Sequence, residues 1–161
     1  MRLTERTDIA VRILIFLSLF KGQKVSIDQL AEQYIGHRAQ IVAAVQQLRK
    51  AGMIGSIPGR NGGIWIEKDP SEISVAEIVR MFETDFAMTT CMNHNDDCTL
   101  IGSCRLPRLL NEALARFFEP LEAATIADLI VPNAMRIIEG NREDTERVKA
   151  FTPVRAETGA S

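Results

Sequence analysis

The sequence predicts a mainly α protein, a winged helix-turn-helix followed by a long C-terminal dimerisation helix. Three observations carry this. Three consecutive stretches before Gly52 repeat apolar residues at helical spacing. Two short apolar segments then flank the turn Pro58-Gly-Arg-Asn-Gly-Gly63. Between Cys104 and Glu122 a further helical stripe carries more apolar side chains than one helix can leave in water.

The first helix is predicted over residues 4–20. Ile9, Ile13, Leu17 and Phe20 lie on one face, Ala10 and Leu14 widen it, and Gly22 ends it. Ser26-Ile-Asp-Gln29 is a capping-box pattern that opens a second helix, with Ile27, Leu30, Ala31 and Tyr34 inward and Gly36 as its breaker. The third helix runs from about Arg38 to Ala51 with Ile41, Ala44, Val45 and Leu48 inward. Gly52 stands where a left-handed cap is wanted. Met53–Ile57 and Ile64–Ile66 form a hairpin, the wing. The second and third helices, joined by a tight turn, are then the DNA-reading pair.

Asp69-Pro-Ser71 reads as a hinge, and Ser74-Val-Ala-Glu77 as a second capping box opening a helix to about Glu83. Residues 84–103 have few periodic apolar positions and read as a loop, and a loop of that length needs a functional reason. The long helix follows with Leu106, Leu109, Leu110, Ala113, Leu114, Phe117, Phe118 and Leu121 on its stripe, and Pro120 is expected to kink or end it. Thr125–Leu129 reads as one more short turn, and the polar stretch from Pro132 as a disordered tail. The organisation is therefore 1–83 winged helix-turn-helix, 84–104 loop, 105–131 long helix and short turn, and 132–161 tail.

The net charge of −2 hides a polarity. Residues 1–68 carry 10 Lys and Arg against 5 Asp and Glu, whereas residues 69–161 carry 9 against 16. A basic front half points to an anionic partner for that half. On the third helix Ala39, Gln40, Ala43, Gln46, Gln47 and Lys50 face away from the apolar stripe. Gln pairs bidentately with adenine and Ala contacts thymine methyls, so the face suits an A·T-rich major groove. Arg38 stands at the helix start, where side chain and free amides meet phosphate. Arg60 and Asn61 lie at the wing tip, and an Arg there can enter a narrow minor groove.

The chain has three cysteines, Cys91-x6-Cys98-x5-Cys104, all in the loop. An odd count cannot close into internal disulfides. The longest apolar run, Ile13–Phe20, is too short for a bilayer and no cleavage site follows, so a cytoplasmic, thiol-reducing setting is expected. The spacing does not match zinc sites, whose ligands pair two to four residues apart. Nor does it match two-cluster ferredoxins. The flanking Asn93, His94, Asn95, Asp96 and Asp97 are too polar for three merely buried thiols. Three thiolates from one loop suit a soft metal or an iron–sulfur cluster.

Here the chain resembles a known family. The opening Met-Arg-Leu-Thr-x-x-Thr-Asp8-x-Ala-x-Arg12, the wing Gly59-Arg-Asn-Gly-Gly63, and a three-cysteine loop running into a long apolar helix are similar to the iron–sulfur winged-helix regulators of the IscR, NsrR and RirA group. The resemblance covers roughly residues 1–131. Where the IscR-like branch has a His ligand three residues after the last Cys, this chain has Pro107. The NsrR-like branch matches at Asp8, an acidic residue that in that branch ligates the partner subunit's cluster. The resemblance thus implies Cys91, Cys98 and Cys104 from one chain, Asp8 from the other, and a 4Fe-4S cluster, with 2Fe-2S as the alternative. It implies a homodimeric repressor that binds double-stranded DNA and releases it on nitric oxide. The x6 gap, usually x5 or less in that branch, and Phe86-Ala87-Met88 keep open a RirA-like regulator of iron or cluster supply. The turn between the second and third helices is one residue short of the pattern, which bears on the operator read. A small electron-transfer protein is the remaining alternative. No nucleophile–base pair or phosphate loop points to an enzyme.

Overall fold

The structure, a computed structural model, describes residues 2–33, 35–59, 62–89, 92, 99–100, 102–132 and 134. In chain order the elements are α1 (Glu5–Leu19), α2 (Ile27–Glu32), α3 (Arg38–Lys50), β1 (Ile54–Ile57), β2 (Gly63–Ile66), α4 (Val75–Phe82) and α5 (Leu106–Ala123). Single 3-10 turns lie at Pro70–Glu72 and Ala127–Leu129.

α1 is the centre of the core. Its stripe is wide because it packs against α3, α4 and β2 at once. Ile9, Ala10, Ile13, Leu14 and Leu17 are each at most 1% exposed. Burying each large apolar side chain stabilises the fold by about 1.5–3 kcal/mol. α2 begins at the expected box: the Ser26 hydroxyl accepts from Gln29 N–H and Gln29 Oε1 accepts from Ser26 N–H. Tyr34 lies outside the described residues. α3 buries Ile41, Ala44, Val45 and Leu48, and Gly52 follows it at φ +74°.

β1 and β2 pair antiparallel, with Ile54 opposite Ile66 and Ile57 opposite Gly63. Val25, just before α2, adds one bridge to the wing by exchanging two backbone bonds with Ile64. The wing is thereby tied through Ile64, towards its tip, to the segment that leads into α2. On its face Trp65 lies over Gly55, where a Cβ would meet the indole at 2.3 Å.

Three local expectations need correction. Asp69-Pro-Ser71 is no hinge: Asp69 caps a 3-10 turn through Ser71 N–H, holds Lys21 Nζ at 2.8 Å, and leaves Pro70 buried. At α4 the Ser74 hydroxyl accepts from Ala76 N–H, but Glu77 does not close a box; it faces Lys68 Nζ at 3.5 Å. Pro120 does not end α5, which runs through it to Ala123. A proline removes only its own donor there. Beyond it Ala124 N–H bonds Pro120 C=O, and Ser74 O–H bonds Leu121 C=O, so the last turn has partners.

After α5 the chain returns along α4: Val75 N–H bonds Ala124 C=O and Ile126 N–H bonds Ile73 C=O, both at 2.9 Å. Ile126 is wholly buried in the main core. The C-terminal segment is therefore stitched into the main core, not hung from it. A second cluster joins α4 to α5: Val75, Ala76, Val79 and Phe118, flanked by Phe86, Leu114, Phe117 and Leu121. Phe118 stacks edge-on with Phe86 and Phe117 and lies beneath the Arg80 guanidinium. The first half of α5 stays uncovered, with Leu106 and Leu109 exposed by 45% and 58%. The tail beyond Ala134 lies outside the described residues.

Candidate metal centre and nucleic-acid interface

Of the three cysteines, Cys104 is described; Cys91 and Cys98 lie outside the described residues, as does His94. Cys104 sits where a tight turn, with Gly102 at φ +83°, delivers the chain into α5. It is exposed and unbridged, and its Sγ accepts from Leu106 N–H at 3.4 Å. The thiol thus lies open to solvent at the start of an 18-residue helix.

Asp8 is one turn into α1 with its carboxylate outward, 53% exposed. Arg12 holds both of its oxygens, Nε to Oδ1 at 3.1 Å and Nη2 to Oδ2 at 2.8 Å. An i,i+4 pair of this kind is the ordinary setting of an acidic residue on a helix surface, and it stands beside the ligand role that the resemblance implies. The two are compatible, because an exposed pair contributes only about 0–1 kcal/mol and yields an oxygen cheaply. Among the described residues no three His, Cys, Asp or Glu side chains gather as a metal site within one chain. A helix-start thiol and an outward carboxylate fit as ligands of an iron site completed by residues from elsewhere.

Around Asp8 the polar contacts are unusually long-range. Glu83, the residue that closes α4, accepts from Thr4 N–H at 2.6 Å and from the Thr7 hydroxyl at 2.5 Å. Desolvation pushes the Glu83 carboxyl up, but these hydrogen bonds outweigh it and hold the group below its ordinary value. Sequence reasoning missed this residue, since nothing local marks a bond across 76 positions.

The outer face of α3 divides in two. Ala39, Ala43, Gln46 and Lys50 are exposed as expected. Gln40 and Gln47 turn sideways: Gln40 Nε2 donates to Glu5 at 2.8 Å, and Gln47 Nε2 donates to the Met81 carbonyl at 2.7 Å. Reading adenine with either would first break these bonds. Arg38 points out at the helix start and pairs with Asp28 at 2.9 Å, an exposed contact that phosphate can replace. The wing-tip Arg60 and Asn61 lie outside the described residues. The structure adds Arg49, which the sequence reading passed over. It lines a cleft with Arg38, Ser56, Pro58 and Gly59, and its Nη1 lies 3.5 Å from Ser56 Oγ. Ser56 reaches it from β1, the strand that leaves α3.

This arrangement of three helices, wing and trailing long helix meets a known sequence pattern. The pattern described as Rrf2, an iron-dependent transcriptional regulator, matches residues 3–132. The chain belongs to the Rrf2 family. Among its relatives is the HTH-type transcriptional regulator NsrR of Shouchella clausii, 37% identical over 133 residues, covering 81% of this chain and 89% of that protein. The Bacillus subtilis protein of the same name is 36% identical over 132 residues, covering 81% and 90%. Solved structures share the fold. Staphylococcus aureus CymR in its oxidized form superposes with TM-score 0.65 at 21% identity, covering 80% of this chain and 95% of that one. T. potens IscR gives 0.60 at 19%, covering 94% and 95%. The Rrf2 assignment makes the protein a DNA-binding transcription regulator and not an enzyme. No helix among the described residues is long and apolar enough to cross a membrane.

Proposed function

We propose that this Rrf2 regulator is a homodimeric repressor that senses nitric oxide through an iron–sulfur cluster, 4Fe-4S in type, and leaves its operator when the cluster is nitrosylated. Residues 1–83 would bind DNA, 84–104 hold the cluster and 105–131 form the dimer. The observation that carries the reading is the exposed Cys104 thiol at the start of α5, in a chain whose relatives at 36–37% identity are named NsrR.

Cys91, Cys98 and Cys104 would hold the cluster in one protomer and Asp8 of the partner subunit would complete it. When bound, the cluster supplies an iron held by a hard, weakly bound carboxylate and so open to a small ligand such as nitric oxide. The chain's own residues do the rest. Arg12 keeps the Asp8 carboxylate aimed outward from α1. The uncovered Leu106 and Leu109 face of α5 supplies the apolar surface for the second protomer. Asp8 lies on the helix that packs behind α3, so gripping or freeing it changes how the two recognition helices are held. Half-sites sit a whole number of DNA turns apart, and a small rotation of one helix spoils simultaneous contact. Arg38, Lys50, Arg60 and Asn61 would supply backbone and groove contacts, and Gln46, with Gln40 and Gln47 once released, the base contacts.

The test is an operator mobility shift at fixed salt with anaerobically prepared protein, titrated with nitric oxide and separately with an iron chelator. Release at a few equivalents of nitric oxide supports the reading. Release by the chelator alone favours a sensor of iron or cluster supply built from the same parts.

A further inference from the structure

Three helices meet at one junction made of four hydrogen bonds. Glu83 Oε1 takes two of them from the first turn of α1, Thr4 N–H and the Thr7 hydroxyl. The other two tie α3 to the same pair of elements, Gln40 to Glu5 of α1 and Gln47 to the Met81 carbonyl of α4. Thr7 is 1% exposed, the one buried polar residue among the described residues. Its hydroxyl has little access to water and needs a protein partner. Both sides of the junction also lead to a candidate ligand. Thr7 immediately precedes Asp8, and Glu83 stands eight residues before Cys91.

We propose that Glu83 is the positioning residue that couples the cysteine loop to the recognition helix. The inference rests on the cluster reading above and names the contact through which that reading acts on DNA. With the Glu83 bonds made, α1 and α4 share one frame, and Gln40 and Gln47 hold α3 at a fixed angle to it. Pulling on the segment after Glu83, or turning the first turn of α1 through Asp8, strains the same two bonds. Once they part, the two glutamines anchor α3 to elements that move separately. An open cleft between Leu3 on one side and Phe86 and Met88 on the other leaves space for that parting. The carboxylate is needed for its charge, since hydrogen bonds to an ionised acceptor are about twice as strong as neutral ones.

Operator affinity is measured at one salt concentration for cluster-loaded and cluster-free protein, in the wild type, Glu83→Ala, Thr7→Val and Thr7→Ser. Iron and sulfide per chain are measured alongside, with amide exchange over residues 4–8 in the cluster-free form. The wild type is expected to bind about 5–150-fold more tightly when loaded. Glu83→Ala and Thr7→Val should bring that ratio to within about twofold at unchanged cluster content, while Thr7→Ser keeps it. Exchange over the first turn of α1 should quicken in both disrupted variants. A role in stability alone would weaken both forms equally and leave the ratio intact. An unchanged ratio in Glu83→Ala overturns the proposal, and loss of the cluster in that variant overturns it in favour of Glu83 as a ligand. If the wild type itself holds no cluster or shows no ratio, the cluster reading has failed. Unchanged exchange and affinity in cluster-free Glu83→Ala would then reject the junction on its own terms.

Discussion

A Cβ placed on Gly36, in the turn between α2 and α3, would lie 2.6 Å from Cδ1 and 2.9 Å from Cγ1 of Ile9 in α1. The backbone of the reading pair packs directly on the side chain of Ile9 in the central helix, the residue next to Asp8. Ile9 is 1% exposed, so its side chain has nowhere to retreat. Gly36→Ala should destabilise the cluster-free protein by about 1–3 kcal/mol in urea denaturation, as overpacked cores do. Ile9→Val removes the nearer atom, so the double variant should lose less than the sum of the singles. Strict additivity would mean that the two residues do not touch.

The acid limb of stability should depend on Asp69. Hydrogen bonds from Lys21 and from the Ser71 hydroxyl and amide hold its carboxyl well below the ordinary carboxylate range. A folded value lower than the unfolded one contributes stability above about pH 4, and that contribution fades as pH falls through the folded value. Asp69→Asn keeps an N-cap but cannot ionise. Its melting temperature should fall less than that of the wild type between pH 5 and pH 2.5, a comparison in which parallel curves would refute the assignment.

α5 offers two separable variants. Phe118 is 6% exposed and sits between Phe86, Phe117 and Arg80. Phe118→Ala should cost about 3 kcal/mol of stability by opening the α4–α5 cluster. Leu109 is 58% exposed and is not a member of that cluster. Leu109→Asp should fold normally yet sediment as a monomer, because a charge there spoils an apolar face meant for a second copy. A dimeric Leu109→Asp would move the interface elsewhere.

On DNA, Lys50 and Gln46 should behave differently. Removing a phosphate contact weakens all sequences alike and lowers the salt slope of log K by about 1, which is the expectation for Lys50→Ala. Gln46→Ala should cost about 1–3 kcal/mol on the operator and relax preference at one base pair. Equal effects of Gln46→Ala on operator and unrelated DNA would remove it from base reading.

Much of the fold was legible because its signals are local. Ser26 and Gln29 close a box within one turn, Gly52 takes the left-handed cap, and the α1 and α3 stripes are periodic. The failures have physical reasons too. Ser74-Val-Ala-Glu77 has the letters of a box, but Lys68 competes for Glu77 from across the fold. Pro120 looked like a stop, but Ser74 and Val75 at the start of α4 donate to the Leu121 and Ala124 carbonyls beyond it. The site was legible as residue types and not as geometry. A helical wheel sends Gln40 and Gln47 outward, yet Glu5 and the Met81 carbonyl claim them. Glu83 and Arg49 matter only through residues that the tertiary fold brings near.

The most direct test of a cluster shared across two chains is native mass spectrometry of anaerobically prepared wild type and Asp8→Ala. The wild type should be a dimer carrying two clusters, and Asp8→Ala a dimer whose clusters are lost more readily on dilution or chelation. Protein without acid-labile sulfide even after reconstitution, or an Asp8→Ala variant that keeps its clusters as firmly as the wild type, would contradict it.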